Sequence, residues 1–240
     1  MEKELFNKLL EEKMESINLN CSEEQFNKIF KFKELLLEWN TKINLTAIVD
    51  DNEIIDKHFV DSLLISDYIK ENSKIIDVGT GAGFPGIPIS IIRKDLDITL
   101  LDSLKKRINF LNEVISSVEL KKINTVHSRA EDAASNKTYR ENFDVAVSRA
   151  VAALPTLVEY LLPFVKVGGK CICMKGSNIE EELNDSYKAI KVLGGQIEKT
   201  EKITLPGTDI KRTIIIINKN CSTPNKYPRK AGIPTKEPII

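Results

Sequence analysis

The short apolar run Lys74-Ile75-Ile76-Asp77-Val78 leads directly into Gly79-Thr80-Gly81-Ala82-Gly83-Phe84-Pro85-Gly86, and this junction limits the possible folds more than any other feature of the chain. Glycines there let the backbone turn tightly and approach a ligand with no Cβ in the way. A strand that turns through glycines into a helix opens a βα unit, and in a parallel sheet the crevice beyond the carboxyl ends of the strands is where ligands bind. The chain keeps that rhythm from Lys74 onward. Strands are expected near Lys74 to Val78, Ile98 to Leu101, Thr125 to His127, Asp144 to Ser148 and Lys170 to Met174. Helices are expected after them, over Pro88 to Arg93, Leu104 to Val118, Glu131 to Tyr139, Leu154 to Val165 and Ile179 to Val192.

Past Gly194-Gly195 the pattern changes, with Gln196 to Leu205 and Arg212 to Asn218 joined by Pro206-Gly207-Thr208-Asp209, which reads as a hairpin. Five βα units closed by an antiparallel hairpin predict an α/β, Rossmann-like class I methyltransferase sheet of seven mostly parallel strands. A dinucleotide-binding domain would continue with a sixth parallel strand. Upstream, Ser22 followed by Glu23, Glu24 and Gln25 makes a capping box ahead of Phe26, Ile29, Phe30, Leu36 and Leu37 at helical spacing. A further helix is expected over Ile54 to Ile69, with Trp39 to Thr46 as a polar loop between. The division expected is a helical extension over 1–72, the sheet domain over 73–220 and a basic, extended tail over 221–240, where Pro224, Pro228, Pro234 and Pro238 fall.

At 240 residues the chain suffices for one large α/β domain plus that extension. Lys plus Arg equals Asp plus Glu at 35 each, so only the distribution of charge can point to a polyanion. It points to the stretch from Lys219 to Ile240, where Lys219, Lys226, Arg229, Lys230 and Lys236 face Glu237 alone. Cysteines at 21, 171, 173 and 221 form no CxxC pair, and only His58 and His127 could supplement them, so neither a metal site nor a disulfide framework is indicated. Met1 is followed by Glu2, Lys3 and Glu4, and no stretch approaches the roughly 18 apolar residues of a membrane span. The expectation is a cytoplasmic monomer without membrane attachment.

A second strand ends in Leu100-Leu101-Asp102, which puts a carboxylate about 20 residues beyond the glycine turn, where it can accept both hydroxyls of a ribose. An adenosine-containing cofactor follows. Three features favour S-adenosylmethionine over a nicotinamide dinucleotide. Asp77, just before Gly79, suits a cationic ligand and would be an odd neighbour for pyrophosphate; Arg129-Ala130-Glu131-Asp132 offers backbone amides and a carboxylate to an adenine edge; and the hairpin argues against the dinucleotide topology. Tyr187 and Lys191 fit the YxxxK of short-chain dehydrogenases, but its glycine-rich partner motif is missing. Each acid also has a purely structural alternative: Asp77 as a cap of its own turn, Asp102 as a cap of the helix starting near Leu104, and Glu131 as a first-turn carboxylate facing a helix dipole.

The run Ile75 to Pro88, with Leu100-Leu101-Asp102-Ser103-Leu104 and Lys106-Arg107, resembles the bacterial small-subunit ribosomal RNA guanine-N7 methyltransferases, the glucose-inhibited division protein B family. The likeness extends to Trp39-Asn40, Asn44-Leu45-Thr46, His58 with Asp61-Ser62, Ser148-Arg149-Ala150, Lys175-Gly176 and the tail Tyr227 to Pro234. It implies transfer of a methyl group from S-adenosylmethionine to N7 of a guanine in the decoding-region loop of 16S ribosomal RNA, on the small subunit or an assembly intermediate of it. It also implies that Gly79 and Phe84 line the methionine and ribose portion, Asp102 the ribose and Ala130-Glu131 the adenine, with Arg149 closing the site. Asp77, Gly81, Gly83, Ser103 and Arg149 itself complete the expected cofactor set.

Guanine N7 carries an unprotonated lone pair, so attack on a sulfonium needs no general base, and positioning can supply most of the catalysis. After the fourth strand this chain has Ser148-Arg149-Ala150-Val151, where adenine N6 methyltransferases carry an Asn/Asp-Pro-Pro-aromatic loop. Cysteine chemistry on cytosine is disfavoured, because Cys171 and Cys173 alternate with Ile172 as buried strand residues do. Arg149 and Arg212 are the catalytic candidates. Arg149 has as its alternative an ion pair with an acid such as Asp144, and Arg212 that of an ordinary exposed arginine. His58, Asp61 and Ser62 share a helix face and read as a polar cluster packed against the sheet domain.

Overall fold

The computed structural model describes residues 1–240. Two amphipathic helices open it, α1 (Lys3–Glu15) and α2 (Glu23–Ile43). The capping box at α2 is present: Ser22 Oγ accepts from the Gln25 amide at 3.3 Å, and Gln25 Oε1 accepts from the Ser22 amide at 2.8 Å. The expected loop over Trp39 to Thr46 is instead helical as far as Ile43. Trp39 packs against Phe110 at 5.7 Å, and Asn40 Oδ1 accepts from the amides of Leu45 and Thr46, so the polar residues terminate the helix rather than replace it. The next helix is composite: α3 (Asp51–Ile54) runs into a π-helical stretch, Ile55–Val60, and then α4 (Asp61–Leu63). Such π segments cluster at functional positions because they re-aim side chains on either side of the extra residue.

The sheet follows, with β1 (Lys74–Val78), α5 (Gly86–Ile92), β2 (Asp97–Asp102), α6 (Lys105–Ser117), β3 (Ile123–His127), α7 (Ala130–Ser135), β4 (Phe143–Arg149), α8 (Leu154–Leu161), β5 (Val165–Lys175), α9 (Glu180–Val192), β6 (Gly195–Thr204) and β7 (Lys211–Lys219). Strand order is β3-β2-β1-β4-β5-β7-β6, parallel through β5 and antiparallel in β5-β7-β6. Because β1 is buried on both faces, Ile75 points into one apolar cluster and Ile76 into the other. The first cluster joins Phe6, Phe30, Phe32 and Phe59 of the N-terminal helices to Val145 and Ile214 of the sheet; the second lies under α7, α8 and α9. Phe84 of the glycine turn sits among those aromatic rings, 5.2 Å from Phe32 and 5.9 Å from Phe59.

The tail is folded onto the sheet domain, contrary to the extended segment that its prolines suggest. Arg229 pairs with Glu159, whose carboxylate is 0% exposed, through Nε and Nη2 at 2.7–3.2 Å. Arg140 donates to the carbonyls of Thr223 and Tyr227, Thr156 Oγ1 donates to that of Pro234, and a last turn, α10 (Ile233–Lys236), packs beside α8. Two of the five cations from Lys219 onward are taken up inside the protein: Arg229 by Glu159, and buried Lys219, at the end of β7, by Glu141, Thr223 and the Leu162 carbonyl.

Candidate active site

A single cavity of about 1100 Å³ opens at the carboxyl edge of the parallel strands. Register explains why its residues meet. Asp77 and Val78 lie opposite Leu100 and Leu101, Asp102 opposite His127, and Arg149 opposite Met174, while antiparallel pairing sets Lys175 opposite Thr213. Arg212 therefore arrives at the same edge as Arg149.

At one end of the cavity the chain turns at Gly79 and Gly81, with φ of +71° and +63°. The Gly79 and Thr80 amides both donate to the Leu101 carbonyl, at 2.8 and 3.1 Å. A Cβ on Gly79 would lie 2.6 Å from Val151, whereas one on Gly81 would meet only the Gly79 carbonyl oxygen at 3.9 Å, so the two glycines are needed for different reasons. Gly83 serves packing: a Cβ there would strike Ile87 and Leu111, and the residue does not line the cavity. Asp77 does not line it either. Its side chain is 0% exposed, and Oδ2 accepts from Thr80 Oγ1 at 2.7 Å and from the Gly86 amide at 2.9 Å, which braces the turn from behind; Oδ1 has no partner. Burial, only partly offset by those two donors, pushes the Asp77 carboxyl up to about 6.

Asp102 does line the cavity. Oδ1 accepts from the Leu104 amide at 2.8 Å, and Oδ2 accepts from the Gly81 amide at 3.0 Å and from Arg107 at 3.3 Å. The turn-bracing alternative for Asp77 is thus a real contact; Asp102 holds the Leu104 amide just ahead of α6, which itself has no side-chain cap, and its three bonds leave it acceptor capacity to spare. Ser103 and Ala130 line the cavity beside it, and the first turn of α7 has no side-chain cap to satisfy its amides. Glu131 lines it as well, with Oε1 accepting from the Gly232 amide at 3.0 Å, so the tail forms part of this wall through Gly232 and Thr235. A cradle of glycines at positive φ, a carboxylate one strand away and uncapped amides across the gap together fit an adenosyl sulfonium.

The far end of the cavity is built around Arg149. Its Nη1 donates to the Lys57 carbonyl at 2.9 Å and to Asp61 Oδ2 at 3.0 Å, its Nη2 lies 3.3 Å from His58 Nδ1, and its guanidinium lies 5.1 Å from the centre of the Phe84 ring. Asp144, offered above as its partner, instead accepts from the Lys74 amide and pairs with Lys166. His58 stacks on Phe84 at 4.4 Å, and its Nε2 lies 2.9 Å from Thr46 Oγ1, which leaves Nδ1 as the acceptor for Arg149. Burial, reinforced by the Arg149 charge, brings the imidazole down to about 4, so it is neutral at pH 7. Asp61 is 1% exposed and accepts from Arg212 Nε through its other oxygen at 2.9 Å. Arg212 is no ordinary surface residue. Ser62 leaves the polar cluster and donates to the His58 carbonyl.

Asp61, His58, Gly232 and Thr235 are among the lining residues that sequence reasoning did not assign to the site; for the first two the i, i+3 spacing was the available signal. Cys171 and Cys173 are fully buried on β5, where burial raises the Cys173 thiol to about 12, so neither can act as a nucleophile. Tyr187 is 54% exposed on α9, away from the cavity. No group of three or more His, Cys, Asp or Glu side chains could hold a metal ion, and no helix is long and apolar enough to cross a membrane.

The sheet order, the glycine turn after β1 and the acid after β2 define a class I, Rossmann-like methyltransferase. Solved structures agree at the level of fold. A SAM dependent methyltransferase from Aquifex aeolicus superposes with a TM-score of 0.50 at 16% identity, covering 70% of this chain and 93% of that one. TYW2 from M. jannaschii, solved in complex with AdoMet, gives 0.51 at 13% identity over 66% and 74%. The chain belongs to the rRNA small subunit methyltransferase G family, whose model matches residues 25–213. Ribosomal RNA small subunit methyltransferase G of Acetivibrio thermocellus is 55% identical over 99% of both chains, and that of Alkaliphilus oremlandii is 54% identical over 96% of this chain and 98% of its own. The protein is therefore an S-adenosylmethionine-dependent RNA methyltransferase.

Proposed function

We propose that the protein methylates N7 of one guanine in the decoding-region loop of 16S ribosomal RNA, acting in the cytoplasm as a monomer on the small subunit or an assembly intermediate of it. The observation that carries this reading is the continuity of one cavity from the glycine turn to the Arg149–Arg212 pair, which gives a cofactor and a splayed base a common meeting point. Gly79, Gly81, Phe84, Asp102, Ser103, Ala130 and Glu131 hold the cofactor, with Asp77 and Gly83 shaping the turn from behind. When bound, S-adenosylmethionine supplies an electrophilic methyl group on a sulfonium. The far end contributes donors and apolar walls and no free base, because the His58 Nδ1 lone pair is already engaged by Arg149. That suits a nucleophile that has no proton to lose, and orientation alone can be worth about 7–11 kcal/mol in favourable cases. Lys226, Lys230 and Lys236, exposed on the tail, are the charges left to meet phosphate.

Mass spectrometry of small-subunit RNA from a strain lacking the gene tests the reading. Loss of one 7-methylguanosine, restored by the wild-type gene and not by Asp102→Ala, is the expected result. An unchanged set of modifications would leave a binding role in ribosome assembly, and loss of a different methylated base would reassign the target.

A further inference from the structure

Arg149 and Arg212 reach the cavity from β4 and β7, and a single buried carboxylate from the N-terminal helices ties both. Asp61 Oδ2 holds Arg149 Nη1 at 3.0 Å, and Asp61 Oδ1 holds Arg212 Nε at 2.9 Å. The two guanidinium groups are not left equivalent. Arg149 spends both Nη1 hydrogens on Asp61 and Lys57 and one Nη2 hydrogen on His58. Arg212, 24% exposed, spends Nε on Asp61 and one Nη1 hydrogen on the Lys211 carbonyl, and its Nη2 edge makes no hydrogen bond.

The chemistry of a purine gives this asymmetry a use. Beside N7, guanine presents the acceptor O6 and adenine the donor N6, and a guanidinium can only donate, so an arginine at this edge accepts guanine and rejects adenine. A freely turning arginine, however, grips O6 and N7 together in the bidentate manner usual for guanine. That grip would occupy the lone pair that has to attack. An arginine that selects the base for N7 methylation must therefore be held back so that one N–H reaches O6 and none reaches N7.

Resting on the reading of the reaction above, we propose that Asp61 is the positioning residue that enforces this restraint: by binding Arg212 through Nε it takes away the Nε–Nη2 fork, and with one Nη1 hydrogen held by the Lys211 carbonyl an Nη2 hydrogen is left to select the target through O6 while N7 stays free. Leu45, Ile48, Met174 and the 39% exposed Val151 provide the apolar walls between which such a base can lie.

The test compares small-subunit RNA fragments with guanosine, inosine or 2-aminopurine riboside at the target, in single-turnover methylation with saturating S-adenosylmethionine. Inosine keeps O6 and N7, whereas 2-aminopurine keeps N7 and lacks O6. For the wild type, inosine should react within about threefold of guanosine and 2-aminopurine about a hundredfold more slowly, the penalty for leaving a site's polar group unpaired. In Asp61→Asn the guanosine rate should fall about thirtyfold and the preference over 2-aminopurine to below about threefold, with calorimetric affinity for S-adenosylmethionine within about twofold of wild type. Adding Asp61→Asn to Arg212→Gln should cost less than about threefold more than Arg212→Gln alone, because the carboxylate acts through the arginine. Multiplying losses, a retained 2-aminopurine preference or a parallel loss of cofactor affinity would each overturn the proposal. Should Asp61→Asn not fold, Arg212→Met, which removes every donor toward O6, must still lose the preference; if it keeps it, the proposal fails. A wild type that leaves N7 of guanosine unmethylated removes the underlying reaction, whereas N7 methylation with an unchanged preference in the variants removes only the role of Asp61.

Discussion

Replacing Asp77 with Asn should stabilise the protein at neutral pH. In the folded state burial holds the Asp77 carboxyl near 6, against an ordinary value of 3.8. The folded protein thus binds this proton more tightly than the unfolded chain does. Stability from this group is complete below about pH 4, declines as pH rises through 4–6, and is absent above that, where the buried carboxylate must ionise. A difference of about two pKa units corresponds to about 3 kcal/mol. Asn cannot ionise, and its oxygen can keep the Thr80 and Gly86 hydrogen bonds. Its amide nitrogen would occupy the place of the unpartnered Oδ1, at a cost of about 1–2 kcal/mol. The net gain at pH 7.5 is then about 1–2 kcal/mol, or a rise in Tm of about 2–8 °C for a chain of this size. Urea unfolding followed by circular dichroism between pH 4.5 and 8 measures it. The variant should lose the decline that the wild type shows between pH 4.5 and 6.5, and parallel curves for the two proteins would refute the reasoning.

Asp102→Ala should weaken S-adenosylmethionine binding at least about tenfold, since it removes the ribose acceptor and also releases the Gly81 amide; wild-type affinity by calorimetry would take Asp102 out of the site. Gly79→Ala should cost about 2–3 kcal/mol of stability through its positive φ and the close Val151 contact, against about 1 kcal/mol for Gly81→Ala, whose Cβ meets no close contact; equal losses in thermal denaturation would contradict that contrast. Arg229→Ala should destabilise by about 3 kcal/mol by leaving the fully buried Glu159 unpaired, and a loss below about 1 kcal/mol would mean that the tail is only loosely attached. Deleting residues 224–240 should lower cofactor affinity as well as RNA affinity, because Gly232 and Thr235 line the cavity; intact cofactor affinity would argue that this wall is dispensable.

What the sequence revealed of this protein was mainly what lies close together along it. The glycine turn, the acid one strand later and the strand-helix alternation all depend on local backbone preference and apolar spacing, and the seven-stranded order follows once the hairpin is recognised. Arg149 was legible as a functional residue, but its partner was not: Asp61 lies 88 positions away along the chain, and Arg212 lies 151 positions from Asp61. No local preference encodes such a meeting. Asp77 was assigned to the ligand for its charge, yet its oxygens are turned to the Thr80 hydroxyl and the Gly86 amide, which only the folded turn reveals. The tail misled for a related reason. Its prolines exclude a long helix but say nothing of docking, and docking depends on Glu159 being buried beneath Arg229.

The cavity takes its walls from distant parts of the chain, Leu45 and Thr46 lining it together with Gly232 and Thr235. A polypeptide leaving the ribosome therefore owns the cofactor turn long before it owns a closed pocket. Competence waits for Gly232 and Thr235, and chains broken off ahead of them would be folded in large part yet poor at trapping a substrate.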